Sequence, residues 1–410
     1  MGQSIEITRT TYKLENMCNG ILAWSLAFMI TAWISISFGS SSTTTLFQIE
    51  AAGQNQGSTT SILINNNNNS NNNNNTITKA NTANNNLINE AIALLISGKY
   101  NEAISLFDKV LAVDPNNTLA LTNKGTTLAY LQKYDEALSL FDNALSIEPN
   151  NTSTLDSKGY VLASLHKYNE AISLFDKVLA VDPNNAYALN LKGISLASLH
   201  KYNEAISLFD KVLAVDPNDA NTLTNKGNAL DTLGMHQEAV QYYDRALAIE
   251  PNDVVALEDK GSALDLLGKY NESIIYYDKA LTLDPRNVDV LYNKGVALGK
   301  LGEYAQAIQY YDQALAIEPN YTGALVGKGF ALHQLGSNDQ AIQYYDKALA
   351  IEPRNVDTLT NMGVSLVALH KYNEAIKYYD KALAIEPTLQ NAIVGKHISL
   401  QALKNQTQIK

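Results

Sequence analysis

Between residues 84 and 389 the apolar positions recur in two helical clusters every 34 residues, each followed by a polar stretch that ends on a proline. In 220–253, Leu223 and Leu230 mark the inner face of a first helix, and Ala239, Tyr243, Ala246 and Leu247 that of a second. The nine prolines, from Pro115 to Pro387, are all spaced by 34 residues without an insertion. Framed by them, the chain predicts nine pairs of antiparallel helices: 84–117, 118–151, 152–185, 186–219, 220–253, 254–287, 288–321, 322–355 and 356–389. After Pro387 the spacing of a first helix appears once more, through Ile393, Leu400 and Leu403, and predicts a helix that caps the open end of the array. The fold class is all-α, a solenoid of repeats.

Small residues recur in the same register. Eight glycines, from Gly125 to Gly363, stand inside the first helices, where each costs about 1 kcal/mol relative to alanine. Opposite them stand Ala137, Ala171, Ala205, Ala239, Ser273, Ala307, Ala341 and Ala375, which predicts close packing of the two backbones. Between the helices, Gly98, Gly234, Gly268, Gly302 and Gly336 suit the left-handed residue that ends a helix. His166, His200 and His370 replace that glycine in other repeats, so their even spacing reads as turn chemistry and not as a metal-ligand series.

The N-terminal part has a different pattern. Residues 21–38 are eighteen uncharged, mainly apolar residues, just long enough to cross a bilayer as a helix. Arg9 and Lys13 precede them and no basic residue follows before Lys79, which keeps 1–20 cytoplasmic and places the repeats outside the membrane. An uncleaved signal-anchor fits the long apolar run; a signal peptide cleaved near Ser37 and Gly39, giving a secreted chain, is the alternative. Residues 39–86 are rich in Asn, Ser and Thr and predict a disordered tether, which leaves the solenoid at 87–389 and the cap and tail at 390–410.

Charge and composition exclude several functions. Formal charge is −11; residues 1–83 balance and 390–410 add three lysines, which leaves about −14 on the repeats, the wrong sign for a nucleic-acid partner. Cys18 is the single cysteine, so no intrachain disulfide forms. No phosphate loop, zinc spacing or nucleophile elbow is present, and no cofactor or metal is expected.

These residues resemble the tetratricopeptide repeat. In 288–321 the family pattern appears as Leu291, Gly295, Leu298, Tyr304, Ala307, Tyr311, Ala314 and Pro319. The resemblance implies a right-handed superhelix whose inner surface is lined by the first helices and takes a partner's peptide. By that resemblance the groove residues are Asn123, Tyr160, Asn190, Asn225, Asn228, Glu258, Asp259, Asp265, Tyr292, Asn293, Phe330 and Asn361. The set suits polar or basic extended segments. Chaperone-docking members clamp a terminal carboxylate with basic residues where this chain has Thr122, Asp156, Asn190 and Leu191, which argues against that specificity. Frame position 7, commonly apolar in the family, is lysine in seven repeats, and each lysine is expected to meet an aspartate of the preceding repeat, as Lys226 with Asp210. The functional expectation is a membrane-tethered scaffold for protein partners, not an enzyme. A self-assembling cell-surface protein and an accessory subunit of an enzyme are the alternatives.

Overall fold

The computed structural model describes residues 75–408, and all regular structure among them is α-helical. Two compact units meet in sequence at Gly234 and Met235. The N-terminal unit contains α1 (Asn75–Ile96), α2 (Tyr100–Val113), α3 (Thr118–Tyr130), α4 (Tyr134–Ile147), α5 (Thr152–Ser164), α6 (Tyr168–Val181), α7 (Ala186–Ser198), α8 (Tyr202–Val215) and α9 (Ala220–Thr232). The C-terminal unit contains α10 (His236–Ile249), α11 (Val254–Leu266), α12 (Tyr270–Leu283), α13 (Val288–Lys300), α14 (Tyr304–Ile317), α15 (Thr322–Gln334), α16 (Asn338–Ile351), α17 (Val356–Ala368), α18 (Tyr372–Ile385) and α19 (Gln390–Gln408). Within each unit every helix packs on the next, and successive first helices touch side by side.

The helix boundaries follow local chemistry. Where the residue after the Pro-x dipeptide is Asn or Asp, it caps the following first helix: Asn117 accepts from the Ala120 amide at 3.0 Å, and Asp219 from that of Thr222 at 2.8 Å. The turn between the helices of a repeat is left-handed as expected, with φ near +60° at His166, His200 and His370 and at Gln132. Each of those histidines places Nδ1 within 2.8 Å of the hydroxyl two residues on, at Tyr168, Tyr202 and Tyr372.

The first-helix glycines serve a different contact from the one expected. A Cβ built on Gly295 falls 2.6 Å from the ring of Tyr311, and one on Gly125 2.6 Å from Phe141. The glycine makes room for the aromatic ring of its own repeat's second helix, and the alanine series on that helix is fully buried.

The start of the array also differs. The expected tether over 39–86 gives way at Asn75, where α1 begins. Ile88, Ala91 and Leu95 pack against Phe107 and Val110, and that anchored face carries the helix back through asparagines whose propensity penalty is below about 1 kcal/mol each. Residues 1–20 and the apolar run 21–38 lie outside the described residues, and no helix among the described residues is long and apolar enough to cross a membrane.

The lysine series forms the expected pairs. Lys124 meets Asp108 at 2.6 Å and Lys192 meets Asp176 at 2.5 Å; Lys158, Lys226, Lys260, Lys294 and Lys328 pair with Asp142, Asp210, Asp244, Asp278 and Asp312 in the same way. Lys260, Lys294 and Lys328 also donate to the hydroxyls of Tyr276, Tyr310 and Tyr344 and lie about 4 Å from those ring centres. The ammonium is thus held between a carboxylate of one repeat and a tyrosine of its own, while the stem lies along the apolar seam.

Candidate partner-binding site

In the N-terminal unit, hydroxyls join the side faces of α3 and α5, and amides join those of α7 and α9. Thr122 and Thr154 share a hydrogen bond of 2.7 Å, and Asn225 donates to Asn190 at 3.2 Å. Asn123 is buried and donates to its own helix at the Leu119 carbonyl, so it holds the backbone and offers little to a partner. Asn228 is buried and Tyr160 half-buried.

Sequence reasoning missed the most unusual group of this unit as a binding residue. Asp156 is 6% exposed, and its Oδ1 has no hydrogen-bond partner. Burial, and then the charge of Asp182, push its carboxyl up to about 7. Its place on α5 next to the amide positions was readable, but its isolation was not, because that depends on what α3 and α7 bring to it.

In the C-terminal unit the structure gathers part of the expected set around residues that the sequence did not single out. Glu258, 8% exposed, accepts from Asn287 at 3.4 Å and lies beside Asp289. Burial pushes Glu258 up to about 7 and Asp289 adds to it, while the Asn287 bond opposes. Tyr321 donates to Asp289 at 2.8 Å and packs edge-on against Tyr292, ring centres 5.4 Å apart. Tyr321 occupies the position that is Asn or Asp in every other repeat but the last, which has Leu389, and it gives its own helix no side-chain cap. That exception was the signal in the sequence.

Asp265 forms a second group, accepting from Tyr277 at 2.9 Å and bonded to Ser273, the single serine in the alanine series. Burial raises it to about 7 against those bonds and the charge of Lys300; burial in turn lowers Lys300 to about 8, opposed by Asp265. Asp259 and Asn293 are half-buried, Asn361 is buried on α17, and Phe330 packs edge-on against Tyr304. The twelve residues therefore divide between two units, and only Glu258 and Tyr292 join the Asp289–Tyr321 group. Among the described residues no group of three or more His, Cys, Asp or Glu side chains is arranged to hold a metal ion.

The comparisons with known proteins agree with this architecture. Tetratricopeptide repeat models match residues 288–321 and, with a second model, 184–252 and 321–386; a TPR repeat model matches 261–302, and the model of the Psidin N-terminal TPR repeats region matches 88–186. No curated protein matches the chain. Among solved structures, the APC/C hetero-tetramer Cut9-Hcn1 is similar at 19% identity and TM-score 0.53, over 73% of this chain and 59% of that one. A tetratricopeptide repeat protein of Parabacteroides merdae ATCC 43184 is similar at 19% identity and TM-score 0.49, over 61% and 99%. YrrB, a TPR protein with an unusual peptide-binding site, is similar at 26% identity and TM-score 0.40, over 46% and 97%. The chain spans less than two thirds of the first of these structures. With helix pairs in unbroken 34-residue register and family models matching 88–252 and 261–386, the chain belongs to the tetratricopeptide repeat family.

Proposed function

We propose that this chain is a non-catalytic scaffold that binds extended protein segments along its first helices, tethered to a membrane through residues 21–38 with the repeats on the outer side. The observation that carries the binding role is the Glu258–Asp289 pair with Tyr292 and Tyr321. Glu258 is buried on one first helix within reach of the charge of Asp289, half-buried on the next, and no lysine or arginine is among the groups that offset it. Such a pair costs folding stability, and a partner's polar or basic segment supplies the compensation that the fold withholds. The membrane role rests on the eighteen uncharged residues and the basic flank before them.

The test is capture of partners from the source membranes with the full chain and with a Glu258→Gln, Asp289→Asn variant. Both replacements keep shape and remove charge. A partner held by the parent and released by the folded variant supports the reading. Equal capture by both places the binding elsewhere, and concentration-dependent oligomers with no other partner favour self-assembly.

A further inference from the structure

From Asp156 and the tyrosines around it, we propose that the N-terminal unit carries a receptor for a single cationic side chain, a lysine or arginine of an extended peptide. The proposal rests on the scaffold reading but uses a different unit and different residues from the Glu258 site.

The geometry begins with the isolated oxygen. Asp156 is more than nine-tenths buried, yet Oδ1 meets no donor, and a buried carboxyl with an unmet oxygen is costly for a fold to keep. Replacement by asparagine or threonine, both present at the same position in neighbouring repeats as Asn190 and Thr122, avoids that cost. The groups nearest in charge are Asp182 and Tyr187, neither of which is cationic. The lysines of the same helices are engaged elsewhere: Lys158 on Asp142 and Lys192 on Asp176.

Aromatic surface stands beside it. Tyr187, in the first turn of α7, is 36% exposed, and its phenol is pushed up first by burial of the hydroxyl end and then by Tyr130, Asp156 and Tyr160. Tyr130 is 40% exposed and stacks on Tyr100 with ring centres 5.7 Å apart. Partly exposed rings, one of them Tyr187 close enough to feel the charge of Asp156, suit a cation on an apolar stem. The ring faces take the stem and attract the charge, and the Asp156 carboxyl, ionised by the cation, supplies a charge-assisted hydrogen bond. An anion meets Asp156 and Asp182, and a purely apolar side chain leaves Oδ1 unpaired.

The test is a ligand-observed NMR titration of the full chain with acetyl-Gly-Lys-Gly-amide and, as the uncharged comparison, acetyl-Gly-norleucine-Gly-amide. The lysine peptide is expected to bind about tenfold more tightly than the norleucine peptide. Asp156→Asn should erase that preference, and Tyr187→Leu should weaken it several-fold. Asp135→Asn, the same change of charge at an exposed site on α4, should leave it intact. Equal loss in Asp156→Asn and Asp135→Asn, or no preference for lysine in the parent, overturns the proposal. Neither result bears on capture of partners at Glu258 and Asp289, so the two failures are separable.

Discussion

Lys396 on the last helix reaches Asp380 at 2.6 Å, the same sixteen-residue step that joins Lys124 to Asp108 at the other end of the array. The final helix therefore docks as the first helix of a tenth repeat would, with its lysine on the preceding aspartate. One rung is missing from the described residues. Met362 occupies the lysine position opposite Asp346, whose carboxyl burial raises and Lys381 lowers.

Restoring that rung is the first prediction. In Met362→Lys the new ammonium should pair with Asp346 and reach the hydroxyl of Tyr378, as Lys328 reaches Asp312 and Tyr344. The gain is small, about 0.5 kcal/mol, because the aspartates of the series are half exposed. Thermal melts should show a rise of a degree or two that Asp346→Asn abolishes. A large fall in melting temperature contradicts the account of the lysine seam.

The glycine–ring contact predicts a specific cost. Gly295→Ala places a methyl group on Tyr311 and should destabilise the chain by about 1–3 kcal/mol in urea unfolding, despite alanine's better helix propensity. Pairing it with Tyr311→Leu should recover part of the loss. A stabilised Gly295→Ala shows that the ring yields without strain.

At the left-handed turns, His200→Gly should stabilise by about 0.5–1 kcal/mol, since glycine adopts φ of +61° without a side-chain penalty. The contact of His200 with the Tyr202 hydroxyl offsets part of that penalty, so the same substitution made in Tyr202→Phe should gain more. Equal gains in both backgrounds remove the contact from the account.

The raised carboxyls set a pH dependence. Asp156, Glu258 and Asp265 hold their protons in the folded state up to about pH 7, whereas in the unfolded chain they release them near pH 4. Between those values the folded state binds more protons, so these groups make stability fall as pH rises, with no further change above about pH 7. Relative to the parent, a variant with Asp156→Asn, Glu258→Gln and Asp265→Asn should gain stability steadily from pH 4 to pH 7. A difference that stays flat across that interval contradicts the assignment.

Much of the fold was legible because the forces that build it are local. Proline spacing, apolar periodicity, capping asparagines and turn glycines act within a few residues, and the lysine–aspartate pairs join positions at a constant separation in the repeat. The start of α1 was not legible, since asparagine content reads as disorder while the contacts of Ile88 and Leu95 with α2 override it. The candidate site was only partly legible. A face assignment puts Glu258 and Tyr292 on the right side of a helix, but it cannot show that Asn123 spends its amide on its own helix, or that Asp156 is left without a donor. Those facts depend on which atoms three successive helices bring together.

The central claim is that partners lie on the first helices. It is tested most directly by photocrosslinking the full chain in its source cells from a benzoylphenylalanine at Val255, exposed on α11, against one at Ile275, exposed on α12. The account predicts a discrete protein adduct from position 255 that fades in Glu258→Gln, Asp289→Asn, and none from position 275. Adducts from position 275 alone contradict it.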